Sequence, residues 1–269
     1  MVGFIGVGNM AGAIISGILK KNLYRENEIT VYDKDHEKYK KFNITPSEDI
    51  AGLCKKSDLI FLCVKPQIYN DVLNEISVTV SEEELCKKTF VSIAAGISTS
   101  HICKKLKTNV AVIRVMPNTP LLIGEGASAL CSNEFVHKRT FSNVVEIFSS
   151  LGVSKILSED MMNRIIAVNG SSPAYVYLLA KAICEGAKAQ GITDDVLALV
   201  IQTIVGSAKM MAQSSMTPDE LIKMVASPNG TTLAALNSFE NDDFCGTIAR
   251  AMQKCTDRAE EIAAETENS

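Results

Sequence analysis

GVGNMA, Gly6 to Ala11, closes the apolar run VGFIGV (2–7) and leads into MAGAIISGILKKN (10–22), whose apolar residues recur at helical spacing. A strand that turns on glycines into a helix is the context in which G-x-G-x-x-G/A marks a dinucleotide-binding fold. Gly6 permits the tight turn, Gly8 lets the backbone approach a pyrophosphate, and Ala11 allows the helix to pack closely on the strand. Asn9 and Met10 stand in the turn where the helix begins. The first amides of that helix are unpaired, and its dipole favours phosphate there.

The pattern repeats outward from this turn. Candidate strands are EITVYD (28–33), LIFLCV (59–64), TFVSIAA (89–95), VAVIRVM (110–116) and EGASALC (125–131), with helical periods between them. Strand–helix alternation argues for a parallel sheet covered on both faces, an α/β doubly wound Rossmann-type domain over residues 1–157. From about Asp160 the rhythm is helical. Periods run over 173–190, 194–213 and 243–265, Gly191 is a C-terminal stop, and Thr217-Pro218-Asp219-Glu220 is a capping box. A further helix starts near Thr231, so residues 158–269 are expected to form an all-α domain. No repeat or low-complexity linker separates the halves.

Asp33 ends the second strand about 22 residues past the motif, where an acid commonly holds the adenosine ribose hydroxyls. That favours NAD, because a carboxylate repels a 2′-phosphate. Lys34 follows at once and can face such a phosphate, so the choice between NADH and NADPH stays open.

Composition narrows the class. The chain has 269 residues, 46% hydrophobic and 22% charged, with a net charge of -4. Such a balance suits a globular protein with a substantial core and gives no basic footprint for nucleic acid. No apolar run approaches the roughly 20 residues of a membrane span, and no basic leader precedes the first strand. Eight cysteines lie scattered without a C-x-x-C pair, which fits a reducing cytoplasm. No metal site is expected.

The ordered set GVGNMAGAI (6–14), CVKPQ (63–67), SIAAGI (92–97), RVMPNTP (114–120), GSSPAY (170–175) and SPNGTT (227–232) resembles the pyrroline-5-carboxylate reductases. The motifs keep that family's order over nearly the whole chain. The resemblance implies reduction of a cyclic imine to proline by NADPH or NADH, in a homodimer that in the family builds larger rings. It implies that Val64, Lys65 and Pro66 lie beside the nicotinamide ribose. Ala94, Ala95 and Gly96 would leave room for the cofactor, and the loop of Met116, Pro117 and Asn118 would line the active site. In SPNGTT, Ser227 and the amides of Gly230, Thr231 and Thr232 would hold the substrate carboxylate, with the Thr232 hydroxyl on the ring nitrogen. Read without the resemblance, the same threonines equally suit a helix N-cap, and the serines of GSSPAY a cap on the helix at Pro173. Asn229 stands where the family usually has glycine; asparagine tolerates left-handed backbone angles better than most residues.

The three histidines, His36, His101 and His137, fall in no motif and read as solvated residues. An imine needs them less than a ketone would. A protonated imine is already electrophilic, and hydride delivery leaves a neutral amine with no alkoxide to protonate. Two rivals remain. A β-hydroxyacid dehydrogenase would want a catalytic lysine on the first long helix of the second half, where Lys181 and Lys188 lie without a glycine-rich neighbourhood. A nucleotide-binding regulatory module would need no substrate loop.

Overall fold

The computed structural model describes residues 1–267. Seven strands form one sheet in the order β2-β1-β3-β4-β5-β6-β7. They are β1 Val2–Ile5, β2 Ile29–Tyr32, β3 Leu59–Leu62, β4 Thr89–Ser92, β5 Ala111–Met116, β6 Gly126–Ser132 and β7 Gly152–Ile156. The helices are α1 Asn9–Lys20, α2 Ile50–Lys56, α3 Tyr69–Thr79, α4 Glu82–Leu85, α5 Thr99–Leu106 and α6 Lys138–Ser149, then α7 Ser172–Ala189, α8 Leu197–Gln213, α9 Pro218–Val225, α10 Thr231–Asn241 and α11 Phe244–Glu267.

Every neighbouring pair is parallel except β5 and β6, which run antiparallel. The expected wholly parallel sheet is corrected at this step. Only residues 117–125 connect the two strands, too few for the crossover that parallel pairing requires. β7 was not foreseen from the sequence. It is an edge strand with Val153 72% exposed, so it carries no buried alternation to read.

Alternation along the central strands feeds two cores. Phe4 of β1 and Phe61 of β3 stack at 4.6 Å under Ile14, Ile15 and Ile18 of α1 and Phe148 of α6. Their neighbours Ile5, Ile60 and Leu62 join Phe90 and pack with Leu53 of α2, Leu73 and Ile76 of α3 and Ile102 of α5. Helices on both faces make the sheet doubly wound, as the period-2 and period-3.6 runs imply.

Polar groups tie the edge of this core together. Arg114 is buried in β5, where burial pushes its pKa down, and its Nη2 donates to Asn163 Oδ1 at 2.6 Å. Glu159 accepts from the Thr99 backbone N–H at 2.7 Å and from the Thr99 hydroxyl, and lies 3.9 Å from Arg114 Nη1. His101 is a correction to the sequence reading. It is buried rather than solvated, with Nε2 donating to Asn70 Oδ1 at 2.7 Å. Burial, reinforced by Lys105 and Lys104 and opposed by Glu267, holds its pKa below the usual histidine value.

The described chain divides into two compact units, Met1–Pro173 with the chain from Cys255 onward, and Ala174–Lys254. The second is all helix. Its capping box forms as read: the Thr217 hydroxyl accepts from Glu220 N–H at 3.3 Å, and the Glu220 carboxylate accepts from Thr217 N–H at 2.7 Å. Gly191, at φ 83°, follows the end of α7. Many large apolar side chains here face outward, including Leu178 (64% exposed), Leu199 (70%) and Val225 (63%). Met210, Met211 and Met224 are also exposed, so they do not fill a core within this chain. No helix among the described residues is long and apolar enough to cross a membrane.

Candidate active site

β1 pairs with β2 on one side and β3 on the other, so the strand order reverses between β1 and β3. Ligands in open α/β sheets bind at the carboxyl ends of strands beside such a reversal. Gly6 makes the turn there at φ 87°, with its N–H on Tyr32 O at 2.8 Å. A Cβ on Gly6 would sit 2.9 Å from Val64 Cγ1 and 3.0 Å from the Cys63 carbonyl, so any other residue is both strained and crowded. Gly8 differs. It is the N-cap of α1 without a side-chain cap bond, no acid lies in the first turn, and nothing lies within 4 Å of where its Cβ would be. The helix therefore presents unpaired amides to open space, which fits a pyrophosphate.

That space belongs to a cavity of about 340 Å³. Gly6, Gly8, Asp33, Lys34, Val64 and Lys65, drawn from three turns, line it together. Asn9 is exposed, Met10 packs partly against the core, and Ala11 is buried where α1 meets the sheet. Pro66 opens a short 3-10 turn and is exposed outside the cavity lining.

Asp33 is more committed than its position in the sequence suggested. Its Oδ2 accepts from Val7 N–H at 2.7 Å, bracing the glycine turn, and its Oδ1 accepts from Asp35 N–H at 2.9 Å and Lys38 Nζ at 3.1 Å. Burial alone would push this carboxyl up, but these donors outweigh it and hold its pKa below the usual aspartate range. Lys38, which also lines the cavity, is one of four lysines between 34 and 41. Only the 3-10 turn His36–Lys38 brings it back onto Asp33.

The turns after β4 and β5 lie at the same edge, but their residues line no part of that cavity. Ala94 is buried in the core. Ala95 is partly buried, and Gly96, at φ 75°, is covered by α11: a Cβ there would lie 2.9 Å from Ile262 Cγ2. The small residue thus makes room for the protein's own helix. Both ends of the Asn118 amide are held, with Nδ2 donating to Asn169 O at 3.1 Å and Oδ1 accepting from Ala127 N–H at 2.9 Å. Pro117 is buried, and Met116 is half-buried against Ala129 and Met162. In GSSPAY, Ser172 Oγ donates to Ala167 O at 3.1 Å and Ser171 Oγ lies 3.2 Å from Cys255 Sγ.

In the helical unit, SPNGTT joins α9 to α10. Asn229 takes the left-handed angle the family glycine would, at φ 60°. Gly230 is the N-cap of α10, and its N–H donates to Ser227 O at 3.0 Å. A side chain on Gly230 would collide with Ser227 Oγ. Neither threonine serves as the N-cap, and no side chain bonds the cap position. The hydroxyls of Ser227, Thr231 and Thr232 have no hydrogen-bond partner among the described residues, so the loop offers hydroxyls and first-turn amides together. Thr232 also lines an apolar cavity of about 340 Å³ with Met210, Met211, Val225 and Leu236. Lys181, the lysine a dehydrogenase of hydroxyacids would need, lies exposed beside Glu185 at 3.7 Å.

Comparison with known proteins gives a consistent picture. A family model described as pyrroline-5-carboxylate reductase dimerisation matches residues 159–262, and one described as NADP oxidoreductase, coenzyme F420-dependent, matches residues 1–96. The pyrroline-5-carboxylate reductase of Escherichia coli (strain K12) is 33% identical over 267 residues, 97% of this chain and 98% of that one. The pyrroline-5-carboxylate reductase structure from Coxiella burnetii superposes with a TM-score of 0.88 at 31% identity, over 97% of this chain and 98% of that one. The Plasmodium falciparum pyrroline carboxylate reductase with NADP bound superposes with a TM-score of 0.86 at 29% identity, over 97% of both chains.

Proposed function

Because the chain belongs to the pyrroline-5-carboxylate reductase family, we propose that its two candidate sites divide the work, nucleotide at the sheet edge and imine acid at SPNGTT. The protein is an NAD(P)H-dependent oxidoreductase that acts on a C=N bond. It converts 1-pyrroline-5-carboxylate to L-proline, the last step of proline biosynthesis. Residues 1–157 bind the nucleotide, and residues 158–269 bind the substrate and the partner subunit.

The observation that carries the substrate assignment is the uncapped start of α10, with three unpartnered hydroxyls beside it. Ser227 and the amides of Gly230, Thr231 and Thr232 hold the carboxylate without a buried cation, as a helix N-terminus can. The Thr232 hydroxyl accepts from the protonated ring nitrogen and fixes which face of the imine carbon is presented. When bound, the reduced nicotinamide supplies the hydride. The product nitrogen is neutral, so Thr232 orients rather than donating a proton in the rate-limiting step. The amides of Asn9, Met10 and Ala11 behind the Gly8 turn hold the pyrophosphate, and Val64 and Lys65 border the nicotinamide ribose. Asn118, with both amide ends held within the protein, keeps the turn after β5 in place for the ring.

NADPH is the preferred donor on this reading. The Asp33 carboxylate is engaged by Val7, Asp35 and Lys38, which leaves little acceptor capacity for two ribose hydroxyls, and Lys34 and Lys38 stand ready for a 2′-phosphate. Decay of nicotinamide absorbance with pyrroline-5-carboxylate tests both statements. Wild type turns over. Lys38→Ala lowers the NADPH-to-NADH ratio of kcat/KM about tenfold, the loss of one charge-assisted contact. An unchanged ratio removes Lys38 from discrimination, and absence of turnover with either donor would favour a regulatory module.

The outward apolar faces of α7, α8 and α9 are the surfaces of a homodimer, in keeping with the dimerisation model over residues 159–262. Sedimentation velocity at micromolar concentration should give at least twice the chain mass; a monomer contradicts this. The eight unpaired cysteines suit the reducing cytoplasm, where we place the protein.

A further inference from the structure

We propose that Tyr69 and Asn70, the first two residues of α3, form a clasp that fixes the turn after β3 against the turn after β4 and thereby sets affinity for the nicotinamide half of the cofactor. The proposal rests on the placing of Val64 and Lys65, in the turn after β3, beside the nicotinamide ribose given above, and on the turn after β4 lying at the same sheet edge. Neither residue touches the cofactor cavity, so both are positioning residues.

The geometry is a pair of ties. Tyr69 is buried, and its hydroxyl donates to Ser92 Oγ at 2.7 Å; Ser92 is the last residue of β4 and is fully buried as well. Ser92 Oγ also accepts from Ala94 N–H at 3.4 Å, reaching into the turn itself. On the next residue, Asn70 Oδ1 accepts from His101 Nε2 at 2.7 Å, on α5 beyond the turn. His101 is anchored in turn by Ser98, whose hydroxyl accepts from the His101 backbone N–H at 3.0 Å. Two successive residues just beyond the CVKPQ segment thus grip the chain on both sides of residues 93–98. Within the turn, Gly96 lies against Ile262, and Ser98 Oγ reaches Glu267 Oε1 at 3.4 Å. The turn is tied to α3 through Ser92 and His101 and contacts α11 through Gly96 and Ser98.

Stability alone does not call for this arrangement. A phenylalanine against an alanine would bury the same ring without desolvating two hydroxyls, and replacing both partners of a buried hydrogen bond is often nearly neutral. What a hydroxyl pair adds is direction, because the bond has one favoured length and angle. Hydride transfer needs that: reacting atoms must be held within a few tenths of an ångström, and a misplacement of about 1 Å can lower the rate about 100-fold.

The test uses Tyr69→Phe, Ser92→Ala and the double variant in the full chain. NADPH affinity is read from nicotinamide fluorescence without substrate, beside affinity for ADP-ribose 2′-phosphate, which lacks the nicotinamide, and the urea unfolding midpoint. Each single variant should weaken NADPH binding about tenfold while ADP-ribose 2′-phosphate binds as to wild type. The double variant should be no weaker than Ser92→Ala alone, since the Tyr69–Ser92 bond is already lost there. NADPH affinity equal to wild type overturns the clasp. So does a parallel loss for both ligands that follows the unfolding midpoint, which marks a structural bond only. Failure of the imine-reductase reading would show separately, as wild type that binds NADPH but does not oxidise it with pyrroline-5-carboxylate.

Discussion

Gly8→Val leaves the protein folded and abolishes NADPH binding, whereas Gly6→Ala lowers stability before binding can be asked about. The two glycines stand two residues apart in one motif, yet the space around them is opposite. At Gly8 the backbone is at φ -74°, open to any residue, and a Cβ meets nothing within 4 Å. A valine there does not disturb the core. It fills the space before the amides of Asn9, Met10 and Ala11, which are the pyrophosphate's donors on this reading. Loss of two such charge-assisted bonds, about 1.5–3 kcal/mol each, weakens binding at least about 100-fold. Gly6 sits at φ 87°, where an alanine is strained by about 1–2 kcal/mol, and its Cβ would press on Val64 and the Cys63 carbonyl at about 3 Å. A further 1–2 kcal/mol of crowding is expected. Thermal unfolding with and without NADPH separates the cases. Wild type gains stability with ligand, Gly8→Val matches the ligand-free midpoint and gains nothing, and Gly6→Ala starts lower. A Gly8→Val protein still stabilised by NADPH would show that the nucleotide lies elsewhere.

Those contrasting environments mark where the sequence could be read and where it could not. GVGNMA was legible because strand, turn and helix impose residue types locally: positive φ at Gly6, open approach at Gly8, close packing at Ala11. Strand ends were legible for the same reason, so Asp33, Lys34, Val64 and Lys65 were expected near one another and share a cavity. Side-chain partners across the fold were not. Nothing local distinguishes Lys38 from Lys40, and nothing in DKD says that the Asp33 carboxylate will turn inward to the Val7 amide. Gly96 illustrates the same limit. Its smallness was legible, but the neighbour requiring it is Ile262, far along the chain. His101 escaped because one buried imidazole on a short helix leaves no periodic trace, and β7 because an edge strand needs none. Outward methionines in the helical unit are a related case. Apolar spacing reports that a face will be covered and is silent on whether the same chain covers it.

Thr232→Val tests the other half of the mechanism with the least disturbance of shape. Valine keeps the branched outline of threonine and removes only the hydroxyl, and at this position the side chain borders Met210, Met211 and Leu236. No intramolecular hydrogen bond is lost, because the Thr232 hydroxyl has no partner among the described residues and Gly230 holds the N-cap. The unfolding midpoint should therefore stay within about 0.5 kcal/mol of wild type. Activity should not. If the hydroxyl holds the ring nitrogen in the transition state, its loss resembles removal of one preorganised hydrogen-bonding group, about 100-fold in kcat/KM or about 2.7 kcal/mol. Thr232→Ser restores the hydroxyl and should recover activity to within severalfold, despite losing a methyl from the apolar wall. Because threonine orients the imine without titrating, the pH profile of the residual valine activity should keep its wild-type shape; a shifted profile would mean that the hydroxyl relays the proton. A valine variant with full activity would return Thr232 to the lining of an apolar cavity, and the ring nitrogen would need another partner. Cofactor affinity separates this from the Gly8 result: it should be unchanged in Thr232→Val, since the loop and the glycine turn belong to different compact units of the chain.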